Sequence, residues 1–136
     1  MNPILIDTCA ALWVVEGNKS GPARATIAEA NHLGRPIYVS PITAWEIGLS
    51  ARKGRFRSRY TPREWFASLM SMPGMFMAEL TAKIMLESSF LPGLTEADPA
   101  DRIIAATARE YGFTVMTRDR ALLDYGREGY LSVLEC

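Results

Sequence analysis

Four acidic residues of this chain lie at the edges of apolar runs, where a lone carboxylate is costly. They are Asp7 after 4–6, Glu46 within 42–49, Asp101 before 103–106 and Asp119 after 115–118. An unpaired buried carboxylate costs several kcal/mol or becomes neutral, so a set of them favours a shared cation. Carboxylates from separate segments are the usual protein ligands of Mg²⁺ or Mn²⁺. The four acids therefore predict metal-assisted phosphate chemistry.

Each acid also has a purely structural interpretation. Asp7 and Asp119 are both placed to cap a following helix. Asp101 falls in a first helical turn, where a carboxylate gains ~0.3–1 kcal/mol from the helix dipole. Glu46 is the hardest of the four to explain structurally, because no cation lies on its helical face before Lys53. Because four separate structural explanations must hold together, we favour a common site.

Short apolar runs alternate with helical patterns along the chain, which predicts an α/β fold. We expect one domain over 1–136, a three-layer sandwich with a central, mainly parallel sheet of four to five strands flanked by helices. The predicted strands are 3–6, 37–39, 76–80, 113–117 and 131–134, and the predicted helices are 10–15, 22–33, 41–53, 62–70, 82–90, 99–111 and 120–125, with a break at 17–22.

The predicted elements place two of the acids at strand ends and the other two on helices. Asp7 and Asp119 come just past the ends of two strands, at the edge where open α/β sheets bind ligands. Glu46 lies in a helix that we expect to be largely buried, because 42–50 carries no other charge. Asp101 opens another helix, with Asp98 as its predicted N-cap.

Composition sets the class of protein and its surroundings. The chain has 15 basic and 15 acidic residues, so its net charge of +0 argues against a molecule that binds nucleic acid by overall charge. Two cysteines make no disulfide framework, and we expect Cys9 to be a small buried residue rather than a nucleophile. No secretory leader or membrane-spanning apolar run is visible, so the cytoplasm is the expected compartment.

Four segments resemble the PIN domain family, specifically the VapC-type ribonuclease toxins of bacterial toxin–antitoxin pairs. The segments read ILIDT at 4–8, SPITAWEI at 40–47, DPADRIIAATA at 98–108 and VMTRD at 115–119. The resemblance implies that the four acids hold one or two Mg²⁺ or Mn²⁺ ions. It also places Thr8 and Thr117 at polar positions beside the first and fourth acids. Asp98 is the alternative third ligand; we favour Asp101, because it directly precedes the apolar run and Asp98 is explained as an N-cap.

The implied activity is that of a metal-dependent endoribonuclease. Hydrolysis by an activated water leaves the 2′-OH unused, so the products would carry a 5′-phosphate and a 3′-OH. The resemblance further implies a VapB-type antitoxin partner, a homodimer, no membrane, and a bacterial or archaeal cytoplasm. Two alternatives stay open: a non-catalytic RNA- or protein-binding module, and a PIN nuclease that processes RNA outside such a pair.

Basic residues near the acids and in one stripe are candidates for binding RNA. Arg102 and Arg118 flank two of the acids, where they either contact substrate phosphates or balance local charge. Six basic residues fall within 52–63, with Phe56 and Tyr60 among them. This stripe is interpreted as an RNA guide with a stacking aromatic, as a solvated helix end, or as the family's partner-contacting surface. The three tryptophans are predicted to serve the core or an interface rather than to stack on bases.

Overall fold

One or two helices separate successive strands in a computed structural model that describes residues 2–17, 21–94 and 97–136. The strands of the described residues are β1 (Ile4–Ile6), β2 (Ile37–Val39), β3 (Met75–Met77), β4 (Thr114–Thr117) and β5 (Ser132–Glu135). The helices are α1 (Thr8–Glu16), α2 (Pro22–His32), α3 (Pro41–Arg52), α4 (Pro62–Met70), α5 (Ala82–Glu87), α6 (Pro99–Tyr111) and α7 (Arg120–Arg127). The predicted break at 17–22 falls largely on 18–20, outside the described residues.

The strands form one parallel sheet in the order β3-β2-β1-β4-β5. Ile6 at the end of β1 lies opposite Val39 of β2 on one side and Met116 of β4 on the other. The strand order reverses between β1 and β4, which is the topological switch point where such sheets bind ligands. The predicted α/β fold with a parallel sheet is confirmed, and all of its strand pairings are parallel.

Alternate residues of the central strands pack into two separate cores. Ile4 and Ile6 of β1 belong to a buried cluster with residues of α1, α2 and α4. Leu5 of β1 and Val115 of β4 belong to a second cluster with residues of α6 and α7. Since side chains alternate between the two faces of a strand, the sheet has a helical layer on each side. This is the expected three-layer sandwich.

Local signals fix most helix starts where the sequence predicts them. The Ser40 hydroxyl accepts from the backbone N–H of Ile42 at 3.1 Å, and a proline follows at the first helical position. Thr61 and Glu64 form a reciprocal capping box at the start of α4. Gly112 ends α6 with a left-handed φ of 73°, as a residue after a helix often does.

The C-terminal ends of two helices differ from the prediction by two residues or more. Helix α5 ends at Glu87 rather than at 90, where the N–H groups of Ser89 and Phe90 turn to tighter i to i−3 hydrogen bonds. Helix α7 continues past Gly126 to Arg127. A Cβ at Gly126 would lie 2.3 Å from Val133 Cγ2, so the glycine lets the helix approach β5 closely. None of the helices in the described part of the chain combines the length and apolar character of a membrane span.

Candidate active site

Two carboxylates lie at the neighbouring ends of β1 and β4. Asp7 caps α1, and its Oδ1 accepts the N–H of Ala10 at 2.8 Å. Asp119 caps α7, and its Oδ2 accepts the N–H of Leu122 at 3.0 Å. The capping interpretation of both residues is therefore correct. Because each cap uses one carboxylate oxygen, it does not exclude a second role for either residue.

Thr117 connects these two carboxylates. Its hydroxyl donates to Asp7 Oδ2 and accepts the backbone N–H of Asp119 at 2.9 Å. Thr117 is fully buried in the last position of β4. A buried hydroxyl cannot meet a substrate, so the structure does not support the expected substrate contact. The side chain instead fixes the orientation of Asp7 relative to Asp119.

Glu46 reaches the same region from α3 through a pair of threonines. The Thr8 hydroxyl donates to Glu46 Oε1 and lies 3.0 Å from the Thr43 hydroxyl. Because the single proton of Thr8 goes to Glu46, Thr43 is the donor to Thr8. Thr8 is the first residue of α1, directly after Asp7. This chain of hydroxyls holds the carboxylate of α3 against the start of α1.

The expectation of a largely buried α3 is wrong. The buried residues of this helix are Ile42, Thr43 and Ile47, whereas Trp45 is 58% exposed and Glu46 half-buried. An uncharged stretch implied burial on all sides, but only one face of α3 packs against the core. Glu46 is consequently open to solvent and to a ligand.

Asp101 is the acid whose pKa the site changes most clearly. Burial and then the charges of Asp119, Asp7, Glu46 and Asp98 raise the pKa of this half-buried carboxyl to about 7. A charge has this effect only when it is nearby. The four predicted acids and Asp98 therefore share one region at the carboxyl edge of the sheet.

Asp98 does not cap α6 as the sequence suggested. It occupies the N-cap position, but its side chain makes no capping hydrogen bond. The residue is exposed, and its charge contributes to the raised pKa of Asp101 and of Glu46. Because the Asp98 side chain is not used as a cap, Asp98 and Asp101 both remain candidate metal ligands.

Burial and mutual repulsion also act on the other acids. Burial is the largest cause of the raised pKa of Asp7, opposed by hydrogen bonds from Thr117 and Ala10 and reinforced by the charge of Asp119. Burial likewise raises the pKa of Glu46, and the hydrogen bond from Thr8 opposes it. The two salt bridges of the described residues, Lys83–Glu110 and Arg127–Asp124, involve none of these acids. The site is thus a concentration of negative charge.

The two flanking arginines make different contacts. The Nε–H of Arg118 donates to the Cys136 carbonyl at 3.0 Å, and its guanidinium carbon lies 4.3 Å from the ring centre of Trp13. Arg102 Nη1 donates to the Ser88 carbonyl at 3.4 Å. Arg118 therefore joins the C-terminal residue to an aromatic ring of α1.

Two features near the acids were not foreseen. Cys9 is exposed rather than buried. Desolvation first, and then Asp7, raises the pKa of its thiol, which keeps it protonated and poorly nucleophilic. Cys136 reaches the site because its N–H donates to the Thr117 carbonyl at 3.2 Å. No sequence signal indicates this contact, because it depends on the pairing of β4 with β5.

The donor set suits a hard divalent cation, although it is not a closed cage. Across 2–17, 21–94 and 97–136, no three Asp, Glu, His or Cys side chains are arranged to hold a metal ion. Mg²⁺ commonly binds through one or two carboxylates and keeps several waters, so a full protein cage is not required. Carboxylates that raise one another's pKa fit such an ion.

Comparison with known proteins agrees with this geometry. The family model described as "PIN domain" matches residues 4–128. Ribonuclease VapC22 of Mycobacterium tuberculosis is 29% identical over 127 residues, covering 90% of this chain and 91% of that protein.

Solved structures share the fold at lower identity. VapBC2 from Rickettsia felis, bound to a DNA fragment from its promoter, has a TM-score of 0.69 at 17% identity and covers 97% of each chain. DNA-bound VapBC from Salmonella typhimurium has a TM-score of 0.63 at 22% identity, over 99% of this chain and 98% of that one. The strand order, the acids at the switch point and the family match together place the chain in the PIN domain family.

Proposed function

We propose that the chain is a divalent-metal-dependent endoribonuclease of VapC type, acting as the toxin of a toxin–antitoxin pair in the cytoplasm. The observation that carries the proposal is the convergence of Asp7, Glu46, Asp101 and Asp119 on one edge of the sheet. Burial first, and then the charges of the other three acids and Asp98, raise the pKa of Asp101 to about 7. The VapC ribonuclease of similar length supports RNA as the substrate.

The carboxylates have distinct tasks in the proposed reaction. Asp7 and Asp119, oriented by Thr117, and the acids of α3 and α6 would hold one or two Mg²⁺ or Mn²⁺ ions. A bound divalent cation supplies activation of water and stabilises the negative charge that builds on the phosphate. Hydrolysis of this kind leaves a 5′-phosphate and a 3′-OH.

Thr8 and Thr43 act on Glu46 rather than on the substrate. Their hydroxyl chain fixes one carboxylate oxygen, Oε1, and we expect Oε2 to be the oxygen available to a metal ion. Asp101 would exchange a proton for a cation as the metal binds, since the same charge cluster favours either one. Asp98 is exposed at the rim and is the alternative third ligand.

The experiment uses purified protein, single-stranded RNA and Mg²⁺ or Mn²⁺. We expect cleavage with 5′-phosphate ends, loss of cleavage in EDTA, and recovery when the metal is restored. Asp7→Asn should lower kcat by more than the ~10–100-fold typical of changes to a metal's outer shell. Asp124→Asn is the matched control, because Asp124 pairs with Arg127 on the surface and should cut like wild type.

Two results would overturn the proposal. Undiminished cleavage by Asp7→Asn would refute the site, and intact RNA under all metal conditions would favour a binding module without catalysis. The toxin role has its own test. Co-expression with the protein encoded immediately upstream should yield a stable complex that no longer cuts RNA, as expected of a VapB-type antitoxin.

A further inference from the structure

We infer that a groove beside the carboxylates binds a nucleobase of the RNA strand, an inference that rests on the proposed function and adds a subsite to it. The groove is about 390 Å³ and is lined by Leu12, Trp13, Glu16, Gly17 and Arg57. It runs between the second half of α1 and the loop that follows α3.

The groove lies close to the acids along α1. Asp7 caps α1 and Trp13 lies six residues later, about 9 Å along the helix axis. Arg118, next to Asp119, has its guanidinium 4.3 Å from the Trp13 ring centre. The residue that precedes Asp119 in the chain therefore contacts Trp13 in the wall of the groove, and we expect a strand held at the acids to pass over Trp13.

The walls of the groove combine an aromatic ring with an acidic side chain. Trp13 is 37% exposed with Arg118 over one face of its ring, so a base would stack on the other face, and Leu12 is half-buried beside it. Glu16 forms an acidic wall, and its Oε1 accepts from the Ser58 hydroxyl, which ties the loop to α1. An acidic wall repels phosphate but accepts the amino N–H groups of a base. The groove interior therefore suits a base rather than the backbone.

The rim of the groove carries positive charge from two arginines. Arg57 makes no hydrogen bond or ion pair with any other described residue. Among the described residues, Arg118 donates only its Nε–H, which leaves its other guanidinium N–H groups available. Both arginines thus offer N–H donors to the phosphates on either side of a stacked base. Phe56 and Tyr60, the aromatics of the basic stripe, pack against the core instead. Trp13, which the sequence assigned to the core or an interface, is the better stacking residue.

The test measures RNA binding in an Asp7→Asn background, so that no strand is cut. Fluorescence anisotropy compares a fluorescein-labelled single-stranded RNA of mixed sequence with an abasic strand of the same length. We expect Trp13→Ala to weaken binding of the RNA at least about fivefold and to leave binding of the abasic strand unchanged. Trp13→Phe, which keeps an aromatic face, should restore most of the affinity.

Matched variants separate stacking from charge. Arg57→Ala should weaken binding of both strands, whereas Arg55→Ala, two residues away in the same loop and outside the groove, should weaken binding of neither. Trp45→Ala controls for the loss of an exposed tryptophan elsewhere. Equal effects of Trp13→Ala on both strands, or none on either, would overturn the inference. Failure of the proposed function is read separately, from whether the wild-type protein cuts RNA with metal.

Discussion

Thr117 shows how one buried side chain organises the charged residues of the site. Its hydroxyl joins Asp7 to the backbone of Asp119, at the place where β4 becomes α7. Removing the hydroxyl leaves Asp7 Oδ2 without its hydrogen-bond donor and leaves the partly buried N–H of Asp119 without its acceptor. The residue acts through the carboxylates, so it positions them and does not itself touch the substrate.

We expect Thr117→Val to lower kcat for RNA cleavage about 10–100-fold with little change in KM, because outer-shell partners tune metal ligands by this amount. The lost hydrogen bonds should also cost about 1–3 kcal/mol of stability. Thr117→Ser, which keeps the hydroxyl, should recover most of the kcat. Thr114→Val is the control on the same strand, since the Thr114 hydroxyl meets Ser132 away from the acids. Equal losses of kcat in the two valine variants would contradict a positioning role.

The raised pKa of Asp101, about 7 in the folded chain, has a consequence for stability. The ordinary value for an aspartate is 3.8, so the folded state binds the proton more tightly than the unfolded state does. This contribution to stability is fully present below about pH 4 and is lost as pH rises through 7. Without metal, Asp101→Asn should therefore be the more stable protein at pH 8, by about 1–2 kcal/mol after allowing for solvent screening.

Urea unfolding in EDTA at pH 4 and pH 8 measures this difference. The advantage of Asp101→Asn should shrink toward zero at the lower pH. Adding Mg²⁺ at pH 8 should stabilise the wild-type protein more than the variant, because the cation takes the place of the proton. A constant difference at both pH values would show that Asp101 is not destabilised by its neighbours.

Among the elements, the two glycines within helices have opposite packing. A Cβ at Gly126 of α7 would lie 2.3 Å from Val133 Cγ2 of β5, whereas a Cβ at Gly48 of α3 would meet nothing within 4 Å. We expect Gly126→Ala to destabilise the protein by about 1–3 kcal/mol through overpacking. Gly48→Ala should be neutral or add about 0.5–1 kcal/mol, since alanine is the better helix former. Chemical denaturation of both variants and wild type measures the sign of each change in the free energy of unfolding. A Gly126→Ala variant as stable as wild type would refute the close approach of α7 to β5.

Elements with local start signals are the ones that the sequence predicts well. Helix α6 has the predicted bounds of 99–111, because a proline fixes its first turn and Gly112 its end. The extension of α7 and the half-exposure of α3 depend on what each helix packs against. A linear pattern does not contain that information.

The candidate site divides in the same way. The residue types and strand ends that bring Asp7 and Asp119 together follow from sequence and from the rules of parallel sheets. The buried position of Thr117, the missing side-chain cap of Asp98 and the exposure of Cys9 depend on side-chain packing in three dimensions. Trp13 belongs to this second group, because its neighbour Arg118 comes from the opposite end of the chain.

For the whole molecule, exposed apolar side chains on one stretch of the chain fit the expected homodimer. Phe76 and Met77 of β3, Met85 and Leu86 of α5, and Phe90 just beyond α5 are all exposed, with Leu86 at 68% and Phe90 at 79%. Isolated exposed apolar residues are ordinary, but a run of large ones on consecutive elements is typical of an interface. A specific dimer buries about 800 Å² on each partner, and we expect these side chains to lie within that interface.

We expect the wild-type protein to sediment as a dimer, and the double variant Leu86→Lys, Phe90→Ser to sediment as a monomer, because a charge and a polar group replace apolar contacts at the expected interface. Leu33→Lys is the matched control: Leu33 is also exposed, at 52%, but it ends α2 elsewhere in the fold. Analytical ultracentrifugation over a range of concentrations distinguishes the two states, and circular dichroism verifies that each variant is folded. A folded double variant that still sediments as a dimer would move the interface away from β3 and α5, to the surfaces that this pair of substitutions leaves intact.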